Sequence, residues 1–171
     1  MWFNYFIAVL LTRIISVLSL FLRNLFFTIL QPGIVAGLAP YWILRGDIDV
    51  KQSWQFYHYA GASIFIIGLI IMLHCIINFA IKGRGTLSPA DPTKRLVISG
   101  LYKYSRNPMY VGVMLILVSE SIFFKAQSLW MYSLFVFIAF NLFIIFFEEQ
   151  RLRKDFGNEY EAYCKKVRRW M

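Results

Sequence analysis

The chain has 171 residues, 59% of them hydrophobic, with 17 phenylalanines and only 16% charged residues. A water-soluble fold of this length cannot conceal so much apolar surface, because a large share of its residues must face solvent. Composition therefore excludes an ordinary soluble domain and implies one all-α membrane domain over residues 1–171. The net charge of +9 would suit nucleic acid, but the basic residues collect between apolar runs, where membrane topology accounts for them. No nucleic acid is expected as a partner.

Five apolar runs follow in order, at residues 2–22, 25–44, 59–81, 109–124 and 129–147. As helices each reaches about 24–35 Å, against a hydrocarbon core of about 30 Å. The first has no basic leader and no small-residue cleavage site, so it reads as a retained segment and not a signal peptide. Arg13 in its middle costs at least about 2.5 kcal/mol unless paired or hydrated. The second contains Gln31, Pro32 and Gly33, which predicts a kink there. The last two runs are joined by residues 125–128 alone and predict a helical hairpin. The expected organisation is three spans in 1–81, a loop over 82–107, the hairpin at 108–147 and a tail at 148–171.

Orientation follows from the cations. Lys82, Arg84, Lys94, Arg95, Lys103 and Arg106 lie in the loop, and Arg151, Arg153, Lys154, Lys165, Lys166, Arg168 and Arg169 in the tail. Both segments flank the hairpin, so they share a side, and that side is expected to be cytoplasmic. Residues 45–51 fall opposite. In the tail, Leu152, Phe156, Tyr160, Tyr163, Val167 and Trp170 recur at spacings of three and four, an apolar stripe whose cationic opposite face suits anionic membrane lipids. Gly157 predicts a helix stop there, with Asn158 and Glu161 as a capping box for the next helix.

Two stretches need a chemical explanation. "GLYKYSRNPMY", residues 100–110, sets Tyr102, Tyr104 and Tyr110 around Arg106 just before a membrane helix. Asn107 is a good N-cap and Pro108 is pre-organised for the first helical position. The free N–H groups of that helix start, with Arg106 beside them, would attract a carboxylate or phosphate. An interfacial aromatic belt with a snorkelling arginine explains the same residues more simply. The second stretch is Glu148-Glu149, which ends the fifth run on the same side. The hairpin brings it near residues 106–110, where carboxylates can accept hydrogen bonds from hydroxyls or an ammonium. The plainer alternative is a surface pair bonding Arg151 or Arg153.

Other polar groups carry less. His74 and Asn78 share one face of the third run and are expected to form interhelical hydrogen bonds. Glu120 lies deep on the far side, with Arg13 as a conceivable partner. Gly83 and Gly85 do not make a dinucleotide fingerprint, since no strand precedes them. Cys75 and Cys164 lie in a span and in the tail, so no disulfide is expected. With no CxxC and no His/Cys cluster, no metal is expected either.

"KGRGTLSPADPTKRLVISGLYKYSRNPMYVG" followed by "FEEQRLRKDFGNEYEAYCKKVRRW" resembles the isoprenylcysteine carboxyl methyltransferase and phospholipid methyltransferase superfamily. The resemblance runs from about residue 82 to 170, with a looser match in the second and third runs. It implies a multi-pass enzyme that uses S-adenosyl-L-methionine in a pocket facing the cytoplasm and methylates a lipophilic small-molecule acceptor drawn from the membrane. By position it implies that Lys94, Arg95, Leu96, Val97, Tyr102, Asn107, Pro108, Met109, Tyr110 and Glu148 contact the cofactor. Glu149 completes the acidic pair of the phospholipid enzymes, and Gly83 and Gly85 are similar to their Gly-x-Gly. With Arg106 from the residue reading, these form the candidate cofactor set. No residue is singled out as catalytic. The chain departs from the eukaryotic prenylcysteine enzymes at Asn107, where they have His, and at Ile144, where they carry a substrate-binding Arg, which argues against a prenylcysteine substrate. The related sterol reductase fold, which binds NADPH, is the second reading, opposed by the acidic pair and "FGNEY". A non-enzymatic membrane protein on the same scaffold is the third.

Overall fold

A computed structural model describes residues 30, 32–45, 53–82 and 96–170. The first apolar run, Arg13, Lys94, Arg95 and the Gly83–Gly85 turn lie outside the described residues. Among the described residues the fold is helical without a strand, apart from one isolated parallel bridge between Ser105 and Arg168. Helix α1 is Ala39–Leu44, preceded by a π turn, Ile34–Leu38. Helix α2 is Phe56–Lys82, α3 is Pro108–Phe124 and α4 is Gln127–Phe143. A second π turn, Ile144–Glu148, joins α4 to α5, Glu149–Lys166. Phe56–Asn78 and the continuous run Gln127–Lys166 are long and apolar enough to cross a membrane, while Ile34–Leu44 and Pro108–Phe124 are apolar but shorter. Ile66, Ile67, Ile70, Leu73 and Ile77 on α2 face outward, which is unfavourable in water and natural against lipid.

The kink expected from Pro32 would fall at the carbonyl four residues earlier, that of Thr28, which lies outside the described residues. The described kink in this run lies further on. Pro32 and Gly33 are helical, and the backbone departs from helix at Ala36 (φ −109°, ψ 17°). The cause is Pro40, whose ring clashes with the carbonyl four residues earlier, that of Ala36. The chain answers with a wider turn in which the Ala39 N–H bonds the Ile34 carbonyl. The Val35 carbonyl would next look to Pro40, which has no N–H. Tyr132 of α4 donates its hydroxyl to that carbonyl at 2.9 Å instead, so the gap in the ladder becomes a tie between helices.

Helices α2 and α3 pack antiparallel with their backbones in contact. A Cβ on Gly68 would lie 2.9 Å from the Gly112 carbonyl oxygen, and one on Gly112 would lie 3.0 Å from both the Gly68 oxygen and the Met72 nitrogen. Small residues permit this approach, which maximises dispersion contact where lipid offers no hydrophobic driving force. Residues 125 and 126 alone separate α3 from α4, with Lys125 in the left-handed region (φ +50°). Val113, Leu117 and Val136 form the apolar core between the two helices. Near their turn the buried Ser121 and Ser133 hydroxyls bond at 3.2 Å. The expected stop at Gly157 is a break inside α5, where Gly157 takes φ +49° and helix then resumes. Asn158 and Glu161 beyond it are exposed.

Candidate functional site

The site lies where the start of α3, the end of α4 and residues 96–107 and 160–170 converge. Residues 100–103 form one 3-10 turn, held to α2 by the Asn78 Nδ2 donating to the Ser99 carbonyl at 2.8 Å. His74 and Asn78 thus meet this loop. Gly100 has φ +65°, and a Cβ there would lie 2.6 Å from Asn78 Nδ2 and 3.0 Å from His74 Nε2. The left-handed backbone favours glycine, and a side chain there would also have to displace the ends of Asn78 and His74.

Beyond that turn the chain is stitched to residues 163–169. The buried Tyr163 donates its hydroxyl to the Tyr102 carbonyl at 2.6 Å. The Arg106 N–H donates to the Arg168 carbonyl at 2.9 Å. Ser105 Oγ donates to the Arg169 carbonyl at 3.2 Å and accepts the Asn107 N–H at 3.1 Å. Asn107 takes the N-cap position of α3 with Pro108 at N1, but its side chain does not cap. Its Nδ2 donates to the Arg169 carbonyl at 3.1 Å, an acceptor that draws the amide away from the helix start. The N–H groups of the first turn of α3 are therefore left without a side-chain cap, with the positive end of the helix dipole behind them.

Glu148 and Glu149 have opposite surroundings. Glu149 is buried. It accepts Arg169 Nε on Oε1 at 2.8 Å and Arg169 Nη2 on Oε2 at 3.0 Å, and Arg106 Nη1 stands 3.3 Å from Oε1. Burial pushes its carboxyl up, but the Arg169 hydrogen bonds and the Arg106, Arg169 and Arg153 charges outweigh it and hold the group below its ordinary value. Glu148 is partly buried and accepts the Tyr110 hydroxyl on Oε2 at 3.0 Å. Burial raises its carboxyl above the ordinary value, opposed only in part by the Tyr110 bond and the Arg151 charge. No ion pair holds Glu148 among the described residues.

Residues 56–159 match the model of the phospholipid methyltransferase family. The chain belongs to the phospholipid methyltransferase family. That match takes in α2, α3, α4 and the first part of α5, and it ends before Tyr163, Cys164 and Arg169. An uncharacterised protein of Haemophilus influenzae is 35% identical over 63 residues, which is 37% of this chain and the whole of that protein. No solved structure matches the chain. Membership of this family suggests a membrane methyltransferase.

In this family member the structure gathers Tyr110, Glu148, Glu149, Arg106 and Asn107 at one end of the helices, with Pro108 buried and Met109 half-buried beside them. Val97 is buried and Leu96 half-buried in the approach to the loop. Tyr102 is half-buried, and burial raises its hydroxyl above the usual value. Tyr104 is exposed and stands apart from the site. Arg106 stands beside the start of α3 as expected, and its buried Nε has no hydrogen-bond partner among the described residues. Its Nη1 is engaged by Glu149 and also donates to Cys164 Sγ at 2.7 Å. The alternative pairing of the acids with Arg151 or Arg153 gives way to Arg169 and Arg106 at Glu149. Sequence reasoning missed Arg169, Ser105, Tyr163 and Cys164. That loop and tail flank the hairpin and share a side was the hint that the two segments meet.

Proposed function

We propose that the chain transfers a methyl group from S-adenosyl-L-methionine to a lipophilic acceptor at the cytoplasmic face of a membrane. The observation that carries this reading is Glu148, a carboxylate raised by burial and held by one tyrosine hydroxyl, beside a neighbour whose charge is already neutralised within the fold. Such a group fits a ligand that brings hydroxyls or an ammonium. The uncapped start of α3 fits a carboxylate on the same ligand, within the same convergence of elements. S-adenosylmethionine carries all of these groups, so the residues present suit it.

The proposed topology has five spans, with loop and tail on the cytoplasmic side and residues 45–51 opposite, as the distribution of cations supports. When bound, S-adenosylmethionine would supply an electrophilic methyl group to a lone pair of the acceptor and would itself leave as a neutral thioether. The protein's part is positional. Tyr110 fixes one oxygen of Glu148 and would leave the other for the donor. Ile144 offers nothing to an anionic head group, so the acceptor is read as a neutral or cationic lipid head or another small lipophilic molecule.

The test uses purified protein in detergent. Glu148→Ala should weaken binding of S-adenosylhomocysteine by about 1.5–3 kcal/mol or more while the protein stays folded. Phosphatidylethanolamine and an acetyl-farnesylcysteine are then offered in parallel with labelled S-adenosylmethionine. Unchanged affinity in the variant removes the donor from this site. Turnover of the farnesylcysteine alone overturns the acceptor reading.

A further inference from the structure

We propose that residues 167–170 are a working part of the methyl-donor site and that Arg169 is its positioning residue, aiming the Glu148 carboxylate through Glu149. The inference rests on the donor reading above. Arg169 bonds both halves of the site. Its guanidinium grips Glu149 with two hydrogen bonds, at 2.8 and 3.0 Å, and its carbonyl takes Ser105 Oγ and Asn107 Nδ2 at 3.2 and 3.1 Å. One residue thereby ties the end of α4 to the start of α3.

The acids need such a tie because of where they stand. Glu148 closes the π turn Ile144–Glu148, a wide single turn of the kind found inside α-helices at functional sites, and Glu149 follows it. Rotation of this stretch is set by side-chain anchors on both carboxylates, Tyr110 on Glu148 and the arginines on Glu149. A planar fork defines the plane of the carboxylate it binds, which a single contact such as that of Arg106 at 3.3 Å does not. Fixing Glu149 in this way fixes its neighbour. The same carbonyl also holds the Asn107 amide off the helix start that it would otherwise cap. Trp170 anchors the segment: its Nε1 donates to Asn141 Oδ1 at 3.0 Å, and its ring lies 5.4 Å from that of Phe137. Both partners are on α4, the helix that delivers the acids.

The experiment measures S-adenosylhomocysteine affinity by calorimetry on the folded, monodisperse fraction of the full chain in detergent, with ligand-free melting recorded in parallel. Arg169→Ala should weaken binding about ten-fold or more, as misplacement of a binding group does. Arg169→Lys should recover only part of this, because an ammonium cannot form the fork. The Glu149→Ala, Arg169→Ala double variant should bind no more weakly than Arg169→Ala alone, since the two act through each other. Trp170→Phe, which keeps the ring and loses the bond to Asn141, should weaken binding a few-fold. A lowered melting temperature with unchanged affinity in Arg169→Ala makes Arg169 merely structural and overturns the proposal. If that variant does not fold, unchanged affinity in both Arg169→Lys and Trp170→Phe overturns it equally. A native chain that binds no S-adenosylhomocysteine removes the donor reading and this inference together, whereas native binding that Arg169→Ala retains removes the role of Arg169 alone.

Discussion

Where α3 crosses α2 at Gly68 and Gly112, two backbones touch with no charge between them, whereas its Asn107 end carries a cluster of polar bonds. The crossing depends on shape. Its glycines leave no room for a methyl group, and its strength lies in dispersion contacts that lipid cannot supply as well. The Asn107 end depends on donors and acceptors from residues 99–107 and 163–170, each needing its partner in place. A rigid apolar seam thus carries a polar cluster at one end, and the two should respond to different insults.

Gly112→Val is the most damaging change expected at the seam. Two of the three nearest obstacles to its Cβ are backbone atoms, both at 3.0 Å, so nothing flexible can give way. Overpacking at such a place costs about 3 kcal/mol, the top of its usual range. Thermal melting in detergent checks this, and the drop should be independent of pH. A variant that melts like the native chain would show that the seam is not what holds the helices.

The acidic pair sharpens the same contrast. Glu149→Gln breaks a fork to an arginine whose side chain is 34% exposed, so the loss is discounted for solvent to roughly 2 kcal/mol. Because the folded pKa of Glu149 lies below the unfolded one, its contribution is full above the unfolded pKa and is lost as pH falls through the folded value. The gap between native and Glu149→Gln melting temperatures should therefore close on acidification. Glu148 runs the other way. Its folded pKa is raised, first by burial, so its ionisation opposes folding above that pKa. Without ligand, Glu148→Gln should melt slightly higher than the native chain at neutral pH, and acid should erase the difference. Two Gln variants that shift alike would mean that the neighbours do not stand in different environments.

Much of this was legible in the chain because it is local. Asn107-Pro108 marks the start of α3, Gly157 marks the break in α5, and the apolar runs outline the described helices. The acids were brought near residues 106–110 by nothing more than the shortness of the connection between two helices. What stayed hidden is tertiary. The Pro40 clash at Ala36 is local, but the hydroxyl that answers it comes from Tyr132, 97 positions from Val35. Asn107 is a capping residue by type, yet a carbonyl 62 residues on claims its amide. The tail stripe suited a membrane surface by pattern, but Tyr160 and Tyr163 are buried within the fold. Periodicity shows that a face is apolar and does not say against what it packs.

The smallest effect comes from exchanging like for like, a serine at the Asn107 end of α3 and one at its interface with α4. Ser105 is buried, donates to the Arg169 carbonyl and accepts the Asn107 N–H. Ser105→Ala therefore strands an N–H in a buried place, at a cost of about 1–2 kcal/mol. Ser121 is equally buried, but its hydroxyl bonds both the Leu117 carbonyl of its own helix and Ser133 across the interface. That carbonyl already belongs to the helical ladder, and Ser133 lies in a polypeptide that remains in the membrane when the helices part. Interhelical hydrogen bonds of this kind average about 0.6 kcal/mol, so Ser121→Ala should lower the melting temperature by less than half as much as Ser105→Ala. Measured side by side in one detergent, equal losses would show that the α3–α4 interface relies on polar bonds as heavily as the cluster around Asn107 does. A negligible loss at Ser121 beside a clear one at Ser105 would confine that dependence to the cluster.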